Sequence, residues 1–163
     1  MIDINDMRAG ETVYVLIGSN AYINAQGAQN PIGFFLKYRH VADNTSSYTT
    51  MSTMRGDDAD LRHYIWKLTK LEPVKPGEPG RFAITSSHSE TNPGTWVLTN
   101  MDNKACVYPS NNIESIGSGF NVGLQTWTFE KVTEDNNTVD TLYTICSDNG
   151  QYLNANISRN GGV

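Results

Sequence analysis

An internal repeat limits what this chain can fold into more than any other feature. The run Val13-Tyr14-Val15-Leu16-Ile17-Gly18-Ser19-Asn20-Ala21-Tyr22-Ile23-Asn24-Ala25 lies over Leu142-Tyr143-Thr144-Ile145-Cys146-Ser147-Asp148-Asn149-Gly150-Gln151-Tyr152-Leu153-Asn154-Ala155 with one inserted residue. Each copy reads as a strand with inward apolar groups, a polar turn, and a second short strand carrying an aromatic, an aliphatic and a small residue. This alignment sets Tyr14 over Tyr143 and Ile17 over Cys146. A weaker copy is Phe82-Ala83-Ile84, followed after a longer turn by Trp96-Val97-Leu98-Thr99. A second element, Trp-x-(Leu/Phe), occurs at Trp66-Lys67-Leu68 and Trp127-Thr128-Phe129, each time just ahead of the next repeat. Three like units close most simply around a pseudo-threefold axis, and the approximate units are residues 10–71, 80–132 and 140–163.

Helical periodicity is nearly absent. Its best candidate is Asp57-Asp58-Ala59-Asp60-Leu61-Arg62-His63-Tyr64, one or two turns with acidic residues where a helix N-terminus favours them. The rest reads as short β-branched or aromatic strands split by Gly, Asn, Asp and Pro. These are Thr12–Ile17, Gly33–Tyr38, Tyr64–Leu68, Arg81–Thr85, Thr95–Leu98, Ala105–Tyr108, Gln125–Phe129 and Leu142–Ile145. The fold class is therefore all-β, with 41–60 and 72–80 as long loops.

The order of elements resembles the ricin-type β-trefoil lectin family. The shared order is an aromatic-x-(Ile/Leu) strand, a polar turn, Tyr-(Leu/Ile)-Asn-Ala, and then Gln-x-Trp-x-Phe. Gln125-Thr126-Trp127 matches the family's Gln-x-Trp element, whereas unit one has Tyr64-Ile65-Trp66 and keeps only the tryptophan. Gly150-Gln151-Tyr152-Leu153-Asn154-Ala155 is similar to an opening common in trefoil modules of secreted bacterial proteins. The resemblance implies a β-trefoil made of three pseudo-repeats. Three unit openings and two closings are present, so the third unit is incomplete within residues 140–163. The expectation is that a further segment or another chain completes the barrel, because an open barrel would expose a sheet edge.

The same resemblance implies a sugar site made of an Asp near a hairpin, an aromatic platform and an Asn that bonds ring hydroxyls. Unit two offers these types in Trp96, Asp102, Tyr108, Asn111 and Asn112, with Asp102 in the turn Asn100-Met101-Asp102-Asn103, and Gln125 helps orient the pocket. Asn154 and Asn156 in unit three, and Asn24, Tyr38 and Asn44 in unit one, are lesser candidates. For each Asn and Asp, turn-building is the competing role. Trp66 and Trp127 read as core residues. Trp96 stands where other repeats have Tyr22 and Tyr152; these aromatics either form a core layer or supply the apolar face on which a pyranose stacks.

Catalytic constellations are missing. His40, His63 and His88 lack metal-ligand spacing, and neither a nucleophile elbow nor a phosphate-cradling glycine loop is present. The sequence is read as non-enzymatic, with no metal and no cofactor. Cys106 and Cys146 form at most one bridge, and Cys146 reads as a small buried hydrophobe. Twelve Lys and Arg against 17 Asp and Glu give a net charge of −5, which argues against nucleic acid. No run of about 18 apolar residues is available to span a membrane. Polarity comes instead from 17 Asn, 16 Thr and 12 Ser, which suits a neutral polar ligand. The N-terminus Met1–Asp6 has neither the basic nor the apolar region of a signal peptide, so the chain is either cytosolic or begins after a removed signal. The expected function is a carbohydrate-binding module of a secreted or cell-surface protein. The alternative is a β-trefoil protein-interaction or inhibitory module without a sugar site.

Overall fold

The computed structural model describes residues 3–18, 34–39, 47–53, 61–73, 75–78, 80–86, 95–101, 104–110, 122–132 and 142–153. Nine strands lie among these residues: β1 (Thr12–Val15), β2 (Phe34–Arg39), β3 (Ser47–Thr53), β4 (Trp66–Leu71), β5 (Arg81–Ser86), β6 (Thr95–Met101), β7 (Lys104–Ser110), β8 (Trp127–Val132) and β9 (Leu142–Ser147). All described pairings are antiparallel, so the all-β expectation holds. Among the described residues the helical pieces are short: 3₁₀ turns at Ile4–Asp6 and Leu61–Tyr64, and one α-turn at Val122–Gln125.

The strands follow the repeat. A central ladder runs β1-β4-β5-β8-β9, so β1, β5 and β9 point one way and β4 and β8 the other. Two hairpins, β2–β3 and β6–β7, stand off this ladder and pair with each other through Ser47–Val107 and Tyr48–Cys106. Each ladder strand that opens a repeat also meets the segment after its turn. Gly18 bridges Phe35, Ser86 pairs with Trp96, and Cys146 bridges Tyr152.

The core explains why these residues form these strands. Trp66, Leu68, Phe82, Ile84, Trp127 and Phe129 alternate along β4, β5 and β8 and are all buried. Both tryptophans also place their one polar atom. Trp66 Nε1 donates to the carbonyl of Leu36 at 3.0 Å, and Trp127 Nε1 donates to that of Leu98 at 3.1 Å. The acceptors lie 30 and 29 residues upstream, which makes Leu36 and Leu98 equivalent. Leu153 occupies the same place in the third unit. Its N–H donates to the carbonyl of Ile145 at 2.8 Å, just as that of Leu36 donates to Ile17 at 2.8 Å.

Two sequence expectations are corrected by this geometry. Ile17 corresponds to Ile145, not to Cys146, and Val15 therefore corresponds to Tyr143. The alignment on tyrosines is one residue out, and on a strand one residue reverses the face. Tyr14 accordingly points outward, 66% exposed, while Val13, Val15 and Ile17 pack on the core. Cys146 is a free, half-buried thiol outside the core cluster. The second correction is β3, which lies within the expected 41–60 loop. Its sequence, Ser-Tyr-Thr-Thr-Met-Ser-Thr, has no apolar alternation, and it is a strand because β2 and β7 pair with it. Of the helix expected over 57–64, the Leu61–Tyr64 turn is present, and 57–60 lie outside the described residues.

The N-terminal turn ties one end of the ladder together. Asn5 Nδ2 donates to the carbonyl of Phe129 at 3.1 Å, and the Tyr143 hydroxyl donates to Asp3 at 2.9 Å. Lys70 reaches the Asn5 carbonyl at 3.4 Å while lying over the Phe82 ring, and a Cβ at Gly80 would collide with its side chain. The backbone N–H of Asn5, followed by the Tyr143 hydroxyl, holds the Asp3 carboxyl below its usual range.

Trp66→Phe and Trp127→Phe each keep an aromatic ring in the core and remove one donor from a buried carbonyl. Each is expected to cost about 1–3 kcal/mol in urea unfolding, with similar losses for the two; a loss near zero at either site would contradict the equivalence. Tyr143→Phe tests the N-terminal tie. A carboxylate with a lowered pKa stabilises the fold above its ordinary pKa of about 4 and loses that contribution as pH falls through the lower folded value. The stability gap between wild type and Tyr143→Phe should therefore narrow as thermal unfolding is followed from pH ~5 to ~2.

Candidate functional site

The best-formed polar cluster gathers around the turn that follows β9. Gly150 adopts φ +89°, a left-handed conformation that turns the chain back on itself. The turn is closed by Gly150 N–H to the Ser147 carbonyl at 2.9 Å and Ser147 N–H to the Gln151 carbonyl at 2.9 Å. Asn100 on β6, 7% exposed, reaches across to it. Its Nδ2 donates to Gln151 Oε1 at 2.7 Å and lies 3.1 Å from both Ser147 Oγ and Asn149 Oδ1. The Ser147 hydroxyl also donates to Asn149 Oδ1. One buried amide thus fixes three side chains, two of which, Asn149 and Gln151, are exposed.

Charge in this cluster is neutralised internally. The Asp148 carboxylate accepts from Arg81 Nη1 at 3.1 Å and from the Thr126 hydroxyl, and Arg81 Nη2 donates to the Glu72 carbonyl at 3.3 Å. The Arg81 side chain is 8% exposed and that of Asp148 19%. What faces solvent is therefore a neutral set of amides and a ring: Asn149, Gln151 and Tyr152, the last 56% exposed. Gln125 is buried, with Nε2 3.4 Å from Thr99 Oγ1. Its Oε1 is buried and unbonded among the described residues. Burial pushes the Cys146 thiol up, so it stays protonated at neutral pH.

The expected unit-two site fares differently residue by residue. Trp96 is 2% exposed and part of the core cluster, so its ring offers no face to a sugar, and the core reading applies. The expected alignment of Trp96 with Tyr152 is one residue out: with Leu98 equivalent to Leu153, Tyr152 corresponds to Val97, and it is exposed, so the aromatics do not form one buried layer. Tyr108 is placed by its backbone on β7 opposite Val97. Asp102, Asn111 and Asn112 lie outside the described residues, as do Asn24, Asn44, Asn154 and Asn156. Gln125 ends the α-turn Val122–Gln125, two residues before Trp127 opens β8. The turn from Ser147 to Gln151 was legible as a polar turn, and its link to Asn100 was not, since no local pattern joins residues 47 to 51 positions apart. Among the described residues no three His, Cys, Asp or Glu side chains group as metal ligands. None of their helices is long and apolar enough to cross a membrane.

No family model, curated protein or solved structure matches this chain.

Asn100→Asp tests the cluster. At neutral pH a carboxylate there faces three oxygens with no proton to give, so the turn should lose its anchor and stability should fall by about 1–3 kcal/mol or more. Burial among acceptors raises such a carboxyl's folded pKa, so the penalty shrinks as pH falls and the protonated acid donates again. A variant as stable as wild type at pH 7, by urea unfolding, would show that the Asn100 contacts are unimportant.

Proposed function

We propose that this protein is a non-catalytic carbohydrate-binding module of a secreted or cell-surface protein, built on a β-trefoil plan. Support for the plan comes from the repeated strand order and from the two indole-to-carbonyl bonds with nearly equal spacing. The observation that carries the function is the set of neutral, pre-ordered amides of Asn149 and Gln151, with an exposed Tyr152 ring in the same short segment. An exposed aromatic face provides apolar contact to the C–H face of a pyranose. Amides held in place by Asn100 donate to and accept from hydroxyls without the ordering cost of free side chains. Because Asp148 is engaged by Arg81, the site favours a neutral sugar over an ionic ligand. Affinity at one such shallow site is weak and would be raised by multivalent display.

A second reading, a protein-interaction module, is favoured by a different surface. Tyr14 and Leu16, 66% and 45% exposed, stand together on and just beyond β1. Exposed apolar groups side by side mark contact surfaces more often than scattered ones do.

A glycan-array screen separates the two. Wild type is expected to bind at least one neutral glycan, with binding lost in Tyr152→Ala and Asn149→Ala variants whose circular dichroism matches wild type. Absence of binding to every glycan by folded wild type would shift the assignment to the protein-interaction reading. Binding that survives both substitutions would place the sugar elsewhere.

A further inference from the structure

We infer that Asn149 is a site of self-modification: the backbone of Gly150 converts its side-chain amide to a carboxylate, and the turn after β9 is built to receive the product. Asn precedes Gly twice in this chain, at Asn149-Gly150 and Asn160-Gly161, and the first pair lies within the described residues. The reaction requires an electrophilic side-chain carbonyl, a backbone nitrogen that can reach it, and room for the ring that forms between them.

The electrophile is prepared by its hydrogen bonds. Asn149 Oδ1 accepts from Asn100 Nδ2 at 3.1 Å, from the Ser147 hydroxyl, and from the backbone N–H of Gln151 at 3.3 Å. Donors converging on a carbonyl oxygen stabilise the oxyanion that develops when its carbon is attacked. The leaving group is held far less firmly, since Nδ2 has one long contact, 3.5 Å to Gln151 Oε1. Asn149 is exposed, so water reaches it. Gly150 has no Cβ, and among the described residues no atom lies within 4 Å of where one would stand, which leaves space for the ring. The Gly150 N–H bonds the Ser147 carbonyl at 2.9 Å, and this bond opens before the nitrogen turns to Cγ. It closes an exposed turn, and such bonds break by local opening without global unfolding.

In the first step the Gly150 nitrogen gives up its proton and bonds Asn149 Cγ. The Cγ–Nδ2 bond breaks, and the departing amide takes up a proton and leaves as ammonia. Water then opens the succinimide ring, adding hydroxyl to one carbonyl carbon and returning a proton to the nitrogen. Opening at Cγ leaves an aspartate at position 149; opening at the backbone carbonyl leaves an isoaspartate. The balance is amide plus water to carboxylate plus ammonium.

Asn149 and Asn100 share one network but differ in hydrogen-bond polarity. Asn100 Nδ2 gives protons to oxygens, so a carboxylate there meets only acceptors. Asn149 Oδ1 receives protons from three donors, and a carboxylate oxygen accepts the same three. The adjacent Asp148 carboxylate is engaged by Arg81 and Thr126, which mutes its repulsion of a new negative charge. The conversion adds a charge to a surface of neutral amides. It depends on the turn alone, whether or not the turn binds a sugar.

The test holds the intact, folded protein in mildly alkaline buffer beside the urea-unfolded chain. Peptide mass spectrometry, with fragmentation that tells aspartate from isoaspartate, follows position 149 in both. Steady conversion at Asn149 is expected in the folded protein. None is expected in Asn149→Gln, whose longer side chain would have to close a larger ring. Asn149→Asp supplies the product directly and should keep the urea midpoint of wild type at neutral pH, whereas Asn100→Asp lowers it. The inference is overturned if Asn149 stays intact in the folded protein over the time the unfolded chain takes to convert, because the turn then protects it. It is overturned equally if Asn149→Asp lowers the midpoint as far as Asn100→Asp does.

Discussion

Two indole N–H groups, each satisfied by a leucine carbonyl within its own unit, are the interactions on which the rest of this architecture depends. A buried tryptophan brings a large apolar surface and one donor that must be paired. Trp66 and Trp127 meet that requirement in the same way, against Leu36 and Leu98. The bond fixes where the Trp strand lies relative to the hairpin of the same unit. The flanking strands then inherit their register from it: Val15 faces Trp66, Phe82 faces Trp127, and Ser147 faces Trp127 from the other side. The hairpins are placed in turn, and with them Asn100, which holds the turn after β9.

This dependence explains which parts of the structure were legible in the sequence. Strand class and approximate strand positions follow from alternation around Trp66, Phe82 and Trp127, because those residues are large and their burial forces a face. The repeat was legible for the same reason, through its tryptophans. Its phase in β1 was not. Tyr14 and Tyr143 look alike, but only main-chain bonds from Leu36 to Ile17 and from Leu153 to Ile145 reveal which residues share a place. Strand β3 was hidden because pairing with β2 and β7, rather than its own composition, makes it a strand. The burial of Gln125 depends on contact with Thr99 that no local pattern announces. That Tyr152 and not Trp96 is the exposed ring was not legible either, because the main-chain register that sets Tyr152 level with Val97 rather than Trp96 leaves no mark in the sequence.

The polar cluster and the core answer different physical demands, and their separation is informative. Arg81 and Asp148 are brought together where β5, β8 and the β9 turn converge, and their charges cancel within a few ångströms. A pair of this kind contributes little net stability once desolvation is counted, although losing one partner is costly. What it does accomplish is to remove formal charge from beneath Asn149, Gln151 and Tyr152. A surface of oriented neutral groups over a neutralised base discriminates by hydroxyl geometry and ring shape instead of by net charge.

The N-terminal turn shows how one end of the ladder is held together. Asn5 caps the Phe129 carbonyl of β8, Asp3 accepts from Tyr143 of β9, and Lys70 of β4 reaches the Asn5 carbonyl. One short turn therefore touches three ladder strands that are far apart in sequence, and it brings Ile4 and Met7 onto the same core. Each of these bonds is worth about 1 kcal/mol, far less than the burial of the central aromatics. They act together at one end of the ladder, linking β4, β8 and β9, while Ile4 and Met7 of the same turn pack onto the core. The ladder therefore combines a centre fixed by two indoles with a mixed polar and apolar tie at one end.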